Sequence, residues 1–253
     1  MSSTNPNNVV YLITGANRGI GRAFVEAYLS RPSTTVVAGV RDPAHATAQS
    51  LSQLSKGASS ELIVERIDAS DDSSAPAAME QLARKHGIVK LDVVIANAGV
   101  SRSYPRVAEV AIDELDYHVR INGYGTLRLF QATLPAMDRA ASPKFVAVSS
   151  SASSIGGMDL QPFPNAAYGP SKALLNYLTR KMHFEHENII VFPVDPGWVK
   201  TDMSNDAAAI LGLAEAEMTP KESVDGLVRV IDGASREETS GRFLLYTGEA
   251  SQW

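Results

Sequence analysis

Short runs of apolar residues recur along the chain, at 9–14, 35–40, 62–67, 91–96, 145–149, 189–194 and 243–246. They are rich in Val and Ile and mostly do not alternate with polar residues, which is the pattern of strands covered on both faces. Helix-length segments separate them, at 20–29, 44–54, 75–86, 112–140, 168–186 and 223–231. Strand–helix alternation of this kind predicts an α/β fold in which a parallel sheet is flanked by helices and joined by right-handed crossovers. No internal repeat or interdomain linker is visible, so residues 1–253 read as a single domain. Two stretches break the alternation: 150–167, rich in Ser, Gly and Pro, and 201–219, rich in Ala and Leu. Each follows a predicted strand and so belongs at the carboxyl edge of the sheet, where ligands bind in such folds. Both are candidate substrate loops.

Composition narrows the possible partners. Apolar residues make up 44% of the chain, enough to bury a core. The net charge of −5 lacks the basic footprint of a nucleic-acid binder. With no cysteine, disulfides and thiolate chemistry are excluded. No apolar run approaches the roughly 20 residues that span a membrane, and residues 1–8 lack the basic start and apolar stretch of a signal peptide. The expectation is a cytoplasmic protein that meets neither membrane nor nucleic acid.

The first predicted strand runs into Thr14-Gly15-Ala16-Asn17-Arg18-Gly19-Ile20-Gly21, and the first helix follows. Glycines there permit a tight turn and close backbone approach to phosphate, while the helix N-terminus offers free N–H groups and partial positive charge. The turn reads as the phosphate site of a dinucleotide rather than an ordinary glycine-containing turn, and the expected fold is Rossmann-type with about seven strands in the sheet. Discrimination between cofactors falls at the end of the second strand. The chain has Gly39-Val40-Arg41 there, and Arg41 can pair with the 2′-phosphate of NADPH; Arg18 offers a second cation. Asp42 is the competing signal, because a slip of one or two residues makes it an acid for the ribose of NAD.

Far downstream, Tyr168-Gly169-Pro170-Ser171-Lys172 opens a predicted helix. Residues four apart share a helix face, so Lys172 lies near Tyr168. An adjacent ammonium lowers a phenol's pKa from about 10 and readies it to give a proton to a carbonyl oxygen. His183 and His186 read as a solvated helix end rather than metal ligands, and no metal site is expected. Tyr104, Phe163, Trp198 and Met203 are candidates to line a pocket for an aromatic ketone.

Taken together, these motifs resemble the short-chain dehydrogenase/reductase family over essentially the whole chain from Val9. Thr14 to Gly21 is similar to its glycine turn, which implies cofactor contacts from Thr14, Gly15, Asn17, Arg18, Gly19, Ile20 and Gly21. Asp68, with Ala69, matches the acid that meets adenine, and Asn97-Ala98-Gly99 the segment after the fourth strand. Pro196-Gly197-Trp198-Val199-Lys200-Thr201 matches the segment that holds the nicotinamide, implying contacts from Pro196, Gly197, Val199 and Thr201. Tyr168 and Lys172 match the family's catalytic pair, and Asn122 its catalytic asparagine. The resemblance implies that serine and tyrosine hydroxyls grip the substrate carbonyl. Lysine binds the nicotinamide ribose, and asparagine holds a water in a proton relay. The serine falls in a cluster: alignment by the strand end selects Ser150, with Ser151 next, and implies an insertion within 156–165. Such insertions, the Asn17-Arg18-Gly19 turn and the ending at 243–253 resemble the fungal norsolorinic acid ketoreductases and sniffer-like carbonyl reductases. The implied activity is NADPH-dependent reduction of a ketone, on an aromatic polyketide or similar compound. The alternatives are an NAD-dependent secondary alcohol dehydrogenase and a non-catalytic nucleotide-sensing regulator. Apolar side chains of the 112–140 and 168–186 helices are candidates for a homodimer or homotetramer face.

Overall fold

All seven apolar runs become strands of one parallel sheet. In chain order the elements are β1 (Val9–Thr14), α1 (Gly19–Leu29), β2 (Thr34–Val40), α2 (Ala46–Gln49), β3 (Glu61–Arg66), α3 (Ser74–His86) and β4 (Val93–Ala96). Then follow α4 (Ile112–His118), α5 (Gly125–Met137), β5 (Lys144–Val148), α6 (Tyr168–Glu185), β6 (Ile190–Asp195), α7 (Asp202–Ile210), α8 (Pro220–Asp232) and β7 (Leu244–Leu245). The structure is a computed structural model and describes residues 5, 7–160, 163–210, 212 and 214–253. The strand order is β3-β2-β1-β4-β5-β6-β7. The chain winds outward from β1 in one direction and then, from β4, in the other. The crevice between the carboxyl ends of β1 and β4 is therefore the switch point at which such folds bind ligands.

Alternate strand residues feed two cores. Tyr11 and Ile13 pack with Phe24 and Tyr28 of α1 and with Val224 and Leu227 of α8. Val10 and Leu12 face the opposite layer, with Leu82 of α3, Phe130 of α5 and Leu175 of α6. Each large apolar side chain so buried stabilises the fold by about 1.5–3 kcal/mol. Burial on both faces is why the strands read as unbroken apolar runs.

Four local expectations change. The helix expected over 44–54 is only α2, followed by a tighter 3₁₀ turn at Ser50–Gln53. Ser50 and Ser52 hydroxyls donate to the Thr47 and Gln49 carbonyls three residues back, at 2.8 and 2.7 Å, and compete with the longer α-helical bonds. The helix expected over 112–140 is interrupted by a π-helical turn, Val119–Tyr124, between α4 and α5. The segment 201–219, a candidate substrate loop, contains the helix α7; its residues 211 and 213 lie outside the described residues. His183 and His186 are not simply solvated: His183 Nδ1 meets Ser240 Oγ at 2.7 Å, and the His186 ring sits edge-on to Phe130 at 5.1 Å between centroids.

Candidate active site

The cofactor cleft begins at the glycine turn between β1 and α1. Gly15 has φ +62°, a left-handed conformation that favours glycine. A Cβ on Gly21 would lie 2.2 Å from the Gly15 carbonyl oxygen, so only glycine lets the turn close this tightly. Arg18, at the N-cap of α1, makes no side-chain cap, which leaves the first-turn N–H groups of α1 for an anion. Ile20 packs against the core from the first turn, and Gly19 faces Thr201. Asn17 Nδ2 donates to Thr47 Oγ1 at 2.6 Å and ties the turn to α2.

The Thr14 hydroxyl accepts the Asn97 and Ala98 N–H groups at 3.1 and 3.0 Å, and Asn97 Nδ2 donates to the Thr14 carbonyl at 2.8 Å. These bonds join β1 to β4 at the switch point. Thr14, Asp68, Ala69, Ala96, Ala98 and Thr126 line one pocket beside them. Arg41 is exposed just past β2, without a hydrogen bond or ion pair among the described residues. Asp42 is engaged locally, its Oδ1 accepting the Ala44 N–H at 2.9 Å. An uncapped helix start and a close-packed glycine turn at the switch point fit the phosphates of a dinucleotide.

Next to this pocket the polar residues of α6 meet the π turn. Lys172 is buried, and its Nζ donates to the Val148 carbonyl at 2.8 Å. Nζ lies 5.8 Å from the Tyr168 ring centroid. A Cβ on Gly99 would stand 3.1 Å from Asn122 Oδ1 and 3.4 Å from Lys172 Nζ, so Gly99 leaves room for both. Asn122 is fully buried and clamps the Val100 backbone, its Oδ1 accepting the N–H at 2.8 Å and its Nδ2 donating to the carbonyl at 2.9 Å. The Thr126 hydroxyl donates to the Asn122 carbonyl at 2.9 Å. These side-chain bonds hold the wide π turn in place, and π turns concentrate at functional sites.

The serine cluster separates by partner. Ser150 Oγ accepts the Ala152 N–H at 3.2 Å, and the Ser150 hydroxyl is close enough to the Tyr168 phenol to ease its ionisation. Ser151 turns away: its N–H donates to Asp195 Oδ2 at 3.0 Å. Ser149 Oγ donates to Asn176 Oδ1, and Asn176 Nδ2 to Ser153 Oγ, both at 2.7 Å. Ser153 in turn donates to the Ser150 carbonyl at 2.5 Å.

The electrostatics differ from the sequence expectation that Lys172 lowers the Tyr168 pKa. Burial dominates and raises the phenol's pKa above its ordinary value; the nearby Ser150 hydroxyl opposes this, and Asp195 and Tyr104 add to it. Lys172 is not among the groups that move it. Lys172's own pKa falls to about 8 through burial, with Asp195 pulling the other way. The free protein thus holds a protonated phenol, the state of a proton donor.

The segment after β6 forms the far wall. Val199 bridges to Met218, and the Pro196 carbonyl accepts the Ser223 hydroxyl at 2.6 Å. Thr201 Oγ1 accepts the Ser204 N–H at 3.2 Å and starts α7. Arg18 reaches across from the glycine turn to Asp202 at 3.3 Å, an exposed pair worth little in stability. Among the pocket candidates, Tyr104 shares a hydrogen bond with Ser101 at 2.8 Å and is close enough to Tyr168 to affect its ionisation. Phe163 is exposed, and Trp198 and Met203 are half-buried.

Three residues of this site escaped the sequence reading: Ser171, Asn176 and Asp195. Ser171 Oγ donates to the Tyr168 carbonyl at 2.6 Å and accepts Asn122 Nδ2 at 2.9 Å, linking helix and π turn. The available signals were a polar residue four past Lys172 and an acid ending an otherwise apolar strand.

The short chain dehydrogenase profile matches residues 9–210. The chain belongs to the short-chain dehydrogenase family. Among its relatives, a norsolorinic acid ketoreductase from Dothistroma septosporum is 41% identical over 93% of this chain and 89% of its own length. Another, from Aspergillus parasiticus, is 39% identical over 98% and 92%. An NADPH-bound carbonyl reductase from chicken fatty liver superposes with a TM-score of 0.84 at 30% identity, covering 97% of this chain and all of that one. This member of the family is an oxidoreductase with a site for a nicotinamide cofactor.

Proposed function

We propose that this short-chain dehydrogenase is an NADPH-dependent ketoreductase whose substrate is a ketone on an aromatic polyketide or a similarly apolar compound. The observation that carries the reading is the Tyr168 phenol, kept protonated by burial, with the Ser150 hydroxyl close enough to affect its ionisation, beside the cofactor pocket. In the proposed reaction the bound cofactor supplies hydride to the carbonyl carbon. Tyr168 gives its proton to the carbonyl oxygen, and Ser150 donates a hydrogen bond to the charge that develops there. Lys172 holds positive charge near the phenol, and Asn122 supports a water that returns the proton. Arg41, Thr14 to Gly21, Asp68, Ala69, Asn97 to Gly99, and the 196–201 segment hold the cofactor.

Apolar side chains exposed on the candidate substrate loops, Ile155, Met158, Leu160, Phe163 and Ile210, support an apolar substrate. The names of the two fungal relatives support an aromatic polyketide ketone. The test is initial rates on a panel of aryl ketones with NADPH and with NADH, in wild type and Arg41→Ala. NADPH should be strongly preferred, and the substitution should raise its KM far more than that of NADH, because only NADPH carries the 2′-phosphate. No turnover with either cofactor overturns the reading, and equal effects on both remove Arg41 from it.

A further inference from the structure

Asp195 ends β6 and is buried, although every other residue of that strand is apolar. Its two oxygens face two different parts of the site. Oδ2 accepts the Ser151 N–H at 3.0 Å, and the Ser151 hydroxyl further favours its ionised form. Oδ1 accepts the Gly197 N–H at 2.9 Å. One carboxylate thus joins the turn that carries Ser150 to the Pro196-Gly197 turn. A buried carboxylate is costly unless such bonds and a counter-charge compensate it. The counter-charge is Lys172 of α6, which favours the ionised form of Asp195.

We infer that Asp195 is a positioning residue for the reductase reaction, bracing the Ser150 turn against the Gly197 turn and keeping Lys172 charged. The inference rests on Tyr168 and Lys172 being the proton-transfer pair. The surroundings of Asp195 narrow the attribution. On α6 the titratable groups are Lys172 and Tyr168. Tyr104 lies beyond Tyr168, with Asp206 of α7 beyond Tyr104. On the β7 side the Tyr246 ring packs at Gly197. Lys172 is the one cation among these groups, so loss of the Asp195 charge acts first on it.

The sign is definite. A neighbouring anion favours ammonium over amine and phenol over phenolate. Removing it lowers both pKa values, and burial has already brought Lys172 to about 8. The experiment compares Asp195→Asn and Asp195→Ser, which remove the charge, with Asp195→Glu, which keeps it. The alkaline limb of kcat/KM for ketone reduction should move toward acid by roughly half a unit or more in the neutral variants and stay in place in Asp195→Glu. Independently, the Lys172 side-chain signal, titrated by heteronuclear NMR in the free protein and assigned by its loss in Lys172→Met, should show the same shift without substrate. A loss of activity with both the limb and the Lys172 titration unmoved overturns the inference and leaves Asp195 a structural brace. If no ketone is turned over, the NMR titration still decides it. Should Asp195→Asn fail to fold, Asp195→Ser and Asp195→Glu carry the same comparison.

Discussion

At the scale of single residues, the chemistry rests on which hydroxyl meets which partner. Tyr168→Phe removes the proposed proton donor and leaves its ring in place, so kcat should fall by about 10²–10⁴-fold while NADPH affinity by titration stays near wild type. Near-normal turnover would remove Tyr168 from the role. The serines form a matching series. Ser150→Ala deletes the hydroxyl beside the phenol and should lower kcat by about 10²–10³-fold. Ser151→Ala keeps the N–H that Asp195 accepts and should cost far less. Ser153→Ala breaks a buried bond to Asn176 and should act on stability, by about 1–3 kcal/mol in denaturation, more than on kcat. A loss concentrated in Ser151→Ala would move the catalytic serine one position.

At the scale of elements, the π turn and α7 are where the site is shaped. The Asn122 amide bonds the Val100 backbone and Ser171, so the turn fastens the loop after β4 to α6. By contrast, α7 is held lightly. Ala207 and Ala208 are its buried residues, Asn205 Oδ1 accepts the Ala216 N–H at 3.2 Å, and Lys200 pairs with Glu215. Few large apolar contacts and an exposed Ile210 give such a helix a low cost of local opening. Amide hydrogens of α7 should exchange fast in the free protein and slow when NADPH and a ketone inhibitor bind, as expected of a lid that excludes water. Slow exchange that ligands leave unchanged would make α7 a fixed wall.

At the scale of the whole molecule, the buried site is linked to stability through protons. The Lys172 pKa of about 8 lies below the roughly 10.4 of lysine in an unfolded chain. Between those values the unfolded state holds the extra proton, so this group makes stability rise with pH across that window; its contribution is lost as pH falls through the folded pKa. Lys172→Met removes the linkage. Urea denaturation should therefore show the stability difference moving in favour of wild type from neutral pH to about 10, and a constant difference would mean that Lys172 titrates normally in the fold.

The alternation of apolar runs and helical segments already determined the parallel sheet, because burial on both faces constrains every residue of a strand within a few positions. The glycine turn and the Tyr168–Lys172 pair were legible for the same reason: tight turns and shared helix faces are matters of spacing along the chain. Tertiary structure alone decided the rest. Ser150 and Ser151 are adjacent and identical in type, and they separate only because Asp195, 44 residues past Ser151, takes the Ser151 N–H. The interruption of the helix at Asn122 comes from backbone groups 22 residues away at Val100. The direction of the Tyr168 shift also lay outside the sequence, since spacing brings Lys172 near the phenol but only packing sets how much water is lost there. Lost hydration opposes the phenolate more than the nearby Ser150 hydroxyl favours it, and hydration depends on every layer of the fold at once.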